Sequence, residues 1–112
     1  MQGLERAVEK LTAPDQIFAL EDVKIRGHEY THYSNQPLNL SQYFGAIQGH
    51  ADKGFVVCGD ERYSYGEAYQ QAGQLAVAMQ THYGVKKGDR VAIAMRNNPQ
   101  WLFCFIAAAS IG

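Results

Sequence analysis

The sequence predicts an α/β fold: helices, short hairpins and a first buried strand–helix unit. Two late stretches carry that expectation. Val91-Ala92-Ile93-Ala94-Met95 is apolar on both faces, the pattern of a strand that needs helices on both sides. From Trp101 to Ile111 the chain is apolar all round, the pattern of a helix that needs neighbours all round. Both lie just before Gly112, with no later strand to pair with the first. The chain is therefore expected to be the amino-terminal piece of a larger α/β protein, and to be poorly soluble or partly folded alone, because the last helix would expose apolar surface.

The elements follow in order. Leu4, Ala7, Val8 and Leu11 recur at helical spacing and predict a short amphipathic helix, ended by Thr12-Ala13-Pro14-Asp15. Between Phe18 and Tyr33 the period shortens, and Gly27 offers a turn between two short strands. After the Asn35-Gln36-Pro37 loop, Asn39 caps a helix with the stripe Leu40, Tyr43, Phe44 and Ile47. Ala51-Asp52-Lys53-Gly54 breaks it. Phe55 to Cys58 is a strand, Gly59-Asp60-Glu61 a turn, and Arg62-Tyr63 the returning arm.

Ser64-Tyr65-Gly66-Glu67 is a capping box, in which the serine oxygen takes an orphan amide and the glutamate reaches back. Tyr65, Ala68, Tyr69, Ala72, Leu75, Ala76 and Met79 then share one stripe. Gly84 supplies a left-handed stop. Asn98 is expected to cap the final helix, with Pro99 at its first position, where no amide is needed.

Composition excludes several classes. A hydrophobic fraction of 46% and a charged fraction of 19% suit a globular chain. The net charge of -1 offers no field for nucleic acid or an anionic membrane. The charged start, Met1-Gln2-Gly3-Leu4-Glu5-Arg6, is not a secretory signal, and the run from Trp101 is too short to cross a bilayer. The two cysteines, Cys58 and Cys104, form no Cys-x-x-Cys pair and read as reduced core thiols of a cytoplasmic protein.

His28-Glu29-Tyr30-Thr31-His32 matches the zinc-peptidase pattern. On a helix the two histidines would share a face and hold zinc, with the glutamate polarising a water. In a strand they stand roughly 13 Å apart, at about 3.3 Å per residue, too far for one ion. The strand context is the better reading, so no metal site is expected. Lys86-Lys87-Gly88-Asp89-Arg90 lacks the P-loop pattern and reads as a solvated turn, Gly88 supplying an unusual backbone angle. Tyr63, Tyr65 and Tyr69 read as packing rather than a base-stacking platform. His50 and His82 lie near helix ends, where the dipole favours them. Asn97, Asn98 and Trp101 follow the carboxyl end of the expected strand, where α/β ligands gather, and are the candidates for a substrate site. No catalytic constellation forms.

The stretch from Phe55 to Gly112 resembles the AMP-forming adenylate ligases: acyl-CoA synthetases, luciferases and peptide-synthetase adenylation domains. The resemblance rests on Tyr63-Ser64-Tyr65-Gly66-Glu67, on Leu75-Ala76, on Gly84-Val85-Lys86-Lys87-Gly88-Asp89-Arg90-Val91-Ala92-Ile93, and on Asn97-Asn98-Pro99-Gln100-Trp101 with its apolar helix. Gly66 stands where the family more commonly has alanine. The leader, with Ile25-Arg26-Gly27 and Asn35-Gln36-Pro37, looks like that of bacterial acyl-CoA ligase relatives.

The resemblance implies a division into a leader, 1–54, and the start of the AMP-binding ligase domain, 55–112. It implies the large-domain fold of an acyl-CoA synthetase, a place in fatty acid metabolism, and two-step chemistry. A carboxylate attacks the α-phosphate of ATP, with Mg²⁺, releasing pyrophosphate, and a thiol, commonly coenzyme A, then displaces AMP. The family's phosphate loop, adenine and ribose contacts, hinge and late lysine all lie beyond Gly112. This piece is thus expected to bind no cofactor and to be silent, with carboxylic acid, ATP and coenzyme A as partners of the whole enzyme only. Two other classes remain: a stand-alone binding module that hides Trp101 to Ile111 against a partner, and a zinc peptidase using His28, Glu29 and His32.

Overall fold

The computed structural model describes residues 2–112. They fall into two compact units, Met1–Pro37 and Leu38–Gly112; the expected leader, 1–54, thus spans the first unit and the opening of the second.

The first unit holds α1 (Gln2–Leu11) and a hairpin of β1 (Leu20–Ile25) and β2 (His28–Tyr33). The α1 stripe meets the expectation, but Leu4, Val8 and Leu11 remain exposed. The hairpin is antiparallel, with Leu20 opposite Tyr33 and Ile25 opposite His28. Its two-residue turn puts Arg26 at φ 52 and Gly27 at φ 89. Two positive φ values are the pattern of a type I′ turn, whose twist matches that of the strands. Ala19 is buried, and its carbonyl accepts from the Ser34 amide at 2.8 Å and the Ser34 hydroxyl at 3.2 Å.

The second unit begins with α2 (Leu40–Gly45), which runs into a 3-10 helix, Ala46–His50. Asn39 caps α2, its side chain accepting from the Gln42 amide at 2.9 Å. The hairpin of β3 (Gly54–Cys58) and β4 (Glu61–Ser64) follows. In its turn only the first central residue, Gly59, has positive φ, the type II′ pattern.

Then α3 (Tyr65–Tyr83) starts on the capping box: the Glu67 amide donates to Ser64 Oγ at 3.1 Å, and the Ser64 amide to Glu67 Oε2 at 2.8 Å. Gly84, at φ 68, stops it, and the Gly84 and Val85 amides both turn back to the Met79 carbonyl. The core lies where α2, α3 and α4 (Pro99–Ile111) meet, around Phe44, Ala72 and Ile106, with Phe55, Tyr69 and Leu102 packed against it. Ala68 and Ala72 are the buried residues of α3, and Ala72 shares the core cluster with Ile106 of α4.

Gly66 has a local reason in this chain. A Cβ there would sit 3.2 Å from both the Ala51 carbonyl oxygen and its Cβ, and the Gly66 amide donates to that carbonyl at 3.0 Å. One of the unpartnered amides at the start of α3 is satisfied through this close approach.

Three expectations fail. Val91–Met95 forms no strand; all four strands of the described residues belong to the two hairpins. Val91 is 40% exposed and Met95 46%. A strand exists only where another strand takes its amides and carbonyls, and none lies beside this segment among the described residues. The first buried strand–helix unit is therefore present as its helix alone. Asn98 stands at the N-cap of α4, yet its side chain makes no capping bond. Pro99 contributes no amide, and the Trp101 amide is taken by the Asn98 backbone carbonyl at 3.0 Å. Cys58 is exposed rather than in the core, being the last β3 residue before the turn; Cys104 is half-buried.

Candidate functional site

A surface hollow of about 310 Å³ brings the candidate residues together. Asn97, Asn98, Pro99, Trp101 and Leu102 form one side, and Val56, Val57 and Cys58 the other. The expected position was the carboxyl end of the segment at 91–95. The hollow also touches the carboxyl end of β3, which the sequence did not single out. The absence of a side-chain capping bond leaves the Asn98 amide available to this hollow. Trp101 is held by a stack on Phe105, with ring centroids 5.6 Å apart, and Phe105 meets Phe44 edge-on at 5.9 Å.

Chemically the hollow offers two amides, an indole and one thiol on an apolar floor. It has no basic group to meet phosphate and no carboxylate to hold a divalent ion. Its residues do not fit Mg²⁺-ATP, and they suit an apolar or amide-recognised group. A larger hollow, about 490 Å³, runs between α3 and α4 and is lined by Gln71, Gln74, Gln100, Leu75, Phe103 and Cys104 among others. Cys104 is its one titratable group, and it has no acid–base partner there.

The other motifs take the structural roles expected of them. His28 and His32 lie on β2, where His32 Nε2 meets Glu21 Oε1 at 2.9 Å, so they do not form the helical zinc-binding pair. Lys86–Asp89 is a turn. The Asp89 amide donates to the Lys86 carbonyl at 3.1 Å, the Lys86 amide to Asp89 Oδ2 at 2.9 Å, and Gly88 takes φ 91. His50 ends the 3-10 helix and His82 lies in the last turn of α3.

The tyrosines pack. Tyr65 stacks on Phe55 at 4.2 Å, and Tyr63 meets Phe103 edge-on at 5.1 Å. Partial burial of the Tyr63 phenol, then the hydrogen bond its hydroxyl donates to Glu61 Oε2 and the charges of Glu61 and Glu67, hold its pKa above the ordinary value.

A family model described as AMP-binding enzyme matches residues 44–112. The chain belongs to this family. That places it in the AMP-forming ligase superfamily, as the Ser64–Glu67 and Gly88–Val91 motifs imply. The crotonobetaine/carnitine–CoA ligases of Escherichia coli O1:K1 / APEC, O139:H28 (strain E24377A / ETEC) and O9:H4 (strain HS) are each 41% identical to it over 51 residues, 46% of this chain and 10% of the relative. The chain thus spans about a tenth of the length of the curated relatives it matches. No solved structure matches it. Among the described residues, no helix of the chain is long and apolar enough to cross a membrane.

Proposed function

We propose that this chain is the opening part of an ATP-dependent, AMP-forming carboxylate–CoA ligase that works through an acyl-adenylate, in the cytoplasm. The whole enzyme would take a carboxylic acid, ATP with Mg²⁺, and coenzyme A. The observation that carries the reading is the family match over residues 44–112, joined to relatives named as CoA ligases.

Within such an enzyme this segment is scaffold. The helices α3 and α4 pack through Ala72 and Ile106, and the capping box fixes where α3 begins. Asn97, Asn98 and Trp101 line the acid's side of the site rather than the nucleotide's, since their hollow has no charge to offer phosphate. Residues 1–112 alone carry out no step.

The test is expression of the complete reading frame that contains this segment. Carboxylic-acid-dependent exchange of pyrophosphate into ATP, and CoA-dependent AMP release, are expected of that protein and absent from residues 1–112. A whole protein that exchanges pyrophosphate with no acid in a broad panel refutes the ligase reading. AMP release by residues 1–112 refutes the scaffold role. In the active enzyme Asn98→Ala is expected to raise KM for the acid and leave KM for ATP unchanged; a change confined to ATP would move the hollow to the nucleotide's side.

A further inference from the structure

Two glycines inside α3 are not alike. Gly66 makes room for the Ala51 carbonyl, whereas nothing among the described residues lies within 4 Å of where a Cβ of Gly73 would stand. A glycine inside a helix costs stability relative to alanine, and no contact within the described residues offsets that at Gly73. Four residues on, Val77 is 58% exposed. Gln70, Gly73, Val77 and Gln80 recur at i, i+3, i+7 and i+10 and form one stripe. It runs along the side of α3 turned away from the buried Ala68 and Ala72. The stripe thus has a gap, a knob one turn later, and a carboxamide at each end. It also has no charge. Charged residues make up 19% of the whole chain, yet from Ala68 to Thr81 no side chain is charged. Depletion of charge marks the centre of a protein interface rather than open surface.

We infer that the outer face of α3 docks on the same face of a second copy, the two helices running antiparallel about a two-fold axis level with Leu75. Residues equidistant from position 75 then face each other. Val77 of each copy enters the gap over Gly73 of the other, and Gln70 meets Gln80. Complementarity names the occupant. Gap and knob lie on one face in the order that a two-fold operation exchanges, as an isologous contact requires. A carboxamide both donates and accepts, so two of them satisfy each other across the pair. A charged stripe would set like charges side by side in such a dimer, and this one does not. A partner of another sequence would need none of this symmetry. One helix pair is smaller than a standard interface, so association on the order of micromolar is expected. Pairing through α3 does not depend on the ligase chemistry.

Sedimentation equilibrium of the protein from the complete reading frame tests this, and a monomer–dimer equilibrium is expected. Gly73→Val sets knob against knob and Val77→Gly gap against gap; each should weaken the dimer roughly tenfold or more. The two changes together exchange gap and knob, and should bring the affinity back to within about threefold. That recovery would also show that neither single change unfolds the helix. Val77→Lys, a better helix former than valine, puts a charge on the stripe and is expected to leave monomer. A protein that stays monomeric at about 100 µM, well above micromolar association, overturns the pairing. If Val77→Cys in that monomer also resists a thiol reagent, the face belongs to a later segment of the same protein. A dimer indifferent to both single changes, or a double change no better than either one, overturns it as well, because the copies would then meet through other residues.

Discussion

The two hairpins close with the two turn types that twisted strands favour, but they sit in opposite surroundings. β1–β2 keeps an unbroken register from Leu20↔Tyr33 to Ile25↔His28 while almost every residue is exposed. β3–β4 loses its register between Gly54 and Val56, yet packs against α3 and α4 through Phe55, Tyr65, Tyr63 and Phe103. A two-stranded hairpin alone is marginal in water. The uncovered one therefore depends on its turn and cross-strand pairs, such as Thr31 Oγ1 to Asp22 Oδ1 at 2.7 Å. The covered one tolerates irregular pairing because burial supplies what the ladder lacks. Regular pairing and stability are separate properties of a sheet.

The sharpest way to separate the two is to remove the cover. Phe103→Ala takes the ring from under Tyr63 and is expected to cost about 3–5 kcal/mol. A urea titration should show residues 38–112 losing their structure first, while cross-strand nuclear Overhauser contacts between Val23 and Tyr30 persist. Simultaneous loss of both hairpins would erase the distinction.

The converse change is Gly27→Val, which puts a branched side chain at φ 89. Left-handed backbone costs roughly 1–2 kcal/mol for an L-residue, so the Val23–Tyr30 contacts should vanish with no shift in the melting of the second unit. Ser64→Ala is smaller, about 1 kcal/mol. Because Ser64 is both the last residue of β4 and the cap of α3, hydrogen exchange should rise together at Glu67 and in β3–β4, and not in β1–β2.

The finest effect is set by pH. The raised pKa of Tyr63 means that the folded unit holds this proton more tightly than the unfolded chain. Its contribution to stability is complete below the ordinary tyrosine value of 10.0 and is lost as pH rises through the folded value. Tyr63→Phe should flatten that alkaline fall in stability, measured by urea midpoints between neutral and strongly alkaline pH. An unchanged slope would show that the phenol is free of its neighbours.

What the sequence made legible was whatever is decided within a few residues. Ser64 and Glu67 announce a helix start, Gly84 its stop, Asn39 a cap, and Gly27 and Gly59 their turns, because each acts on backbone groups close by. Pairing at 91–95 depends on hydrogen-bond partners from elsewhere in a chain, and apolar alternation says nothing of whether they are at hand. The Asn98 cap failed on a local competition that composition hides: the backbone carbonyl of the same residue claims the amide its side chain would have taken. Asn97, Asn98 and Trp101 were found from their place after an apolar stretch. Val56, Val57 and Cys58, across the hollow, carry no sequence signal, since nothing in a short strand shows what its far end will face.

The contact between Gly66 and Ala51 has a mechanical meaning. Only the Ala51 methyl and backbone stand against the Gly66 backbone there, so there is little soft material to absorb movement. The turn after the 3-10 helix and the first turn of α3 must travel as one rigid joint, and a pull on either is felt at once by the other.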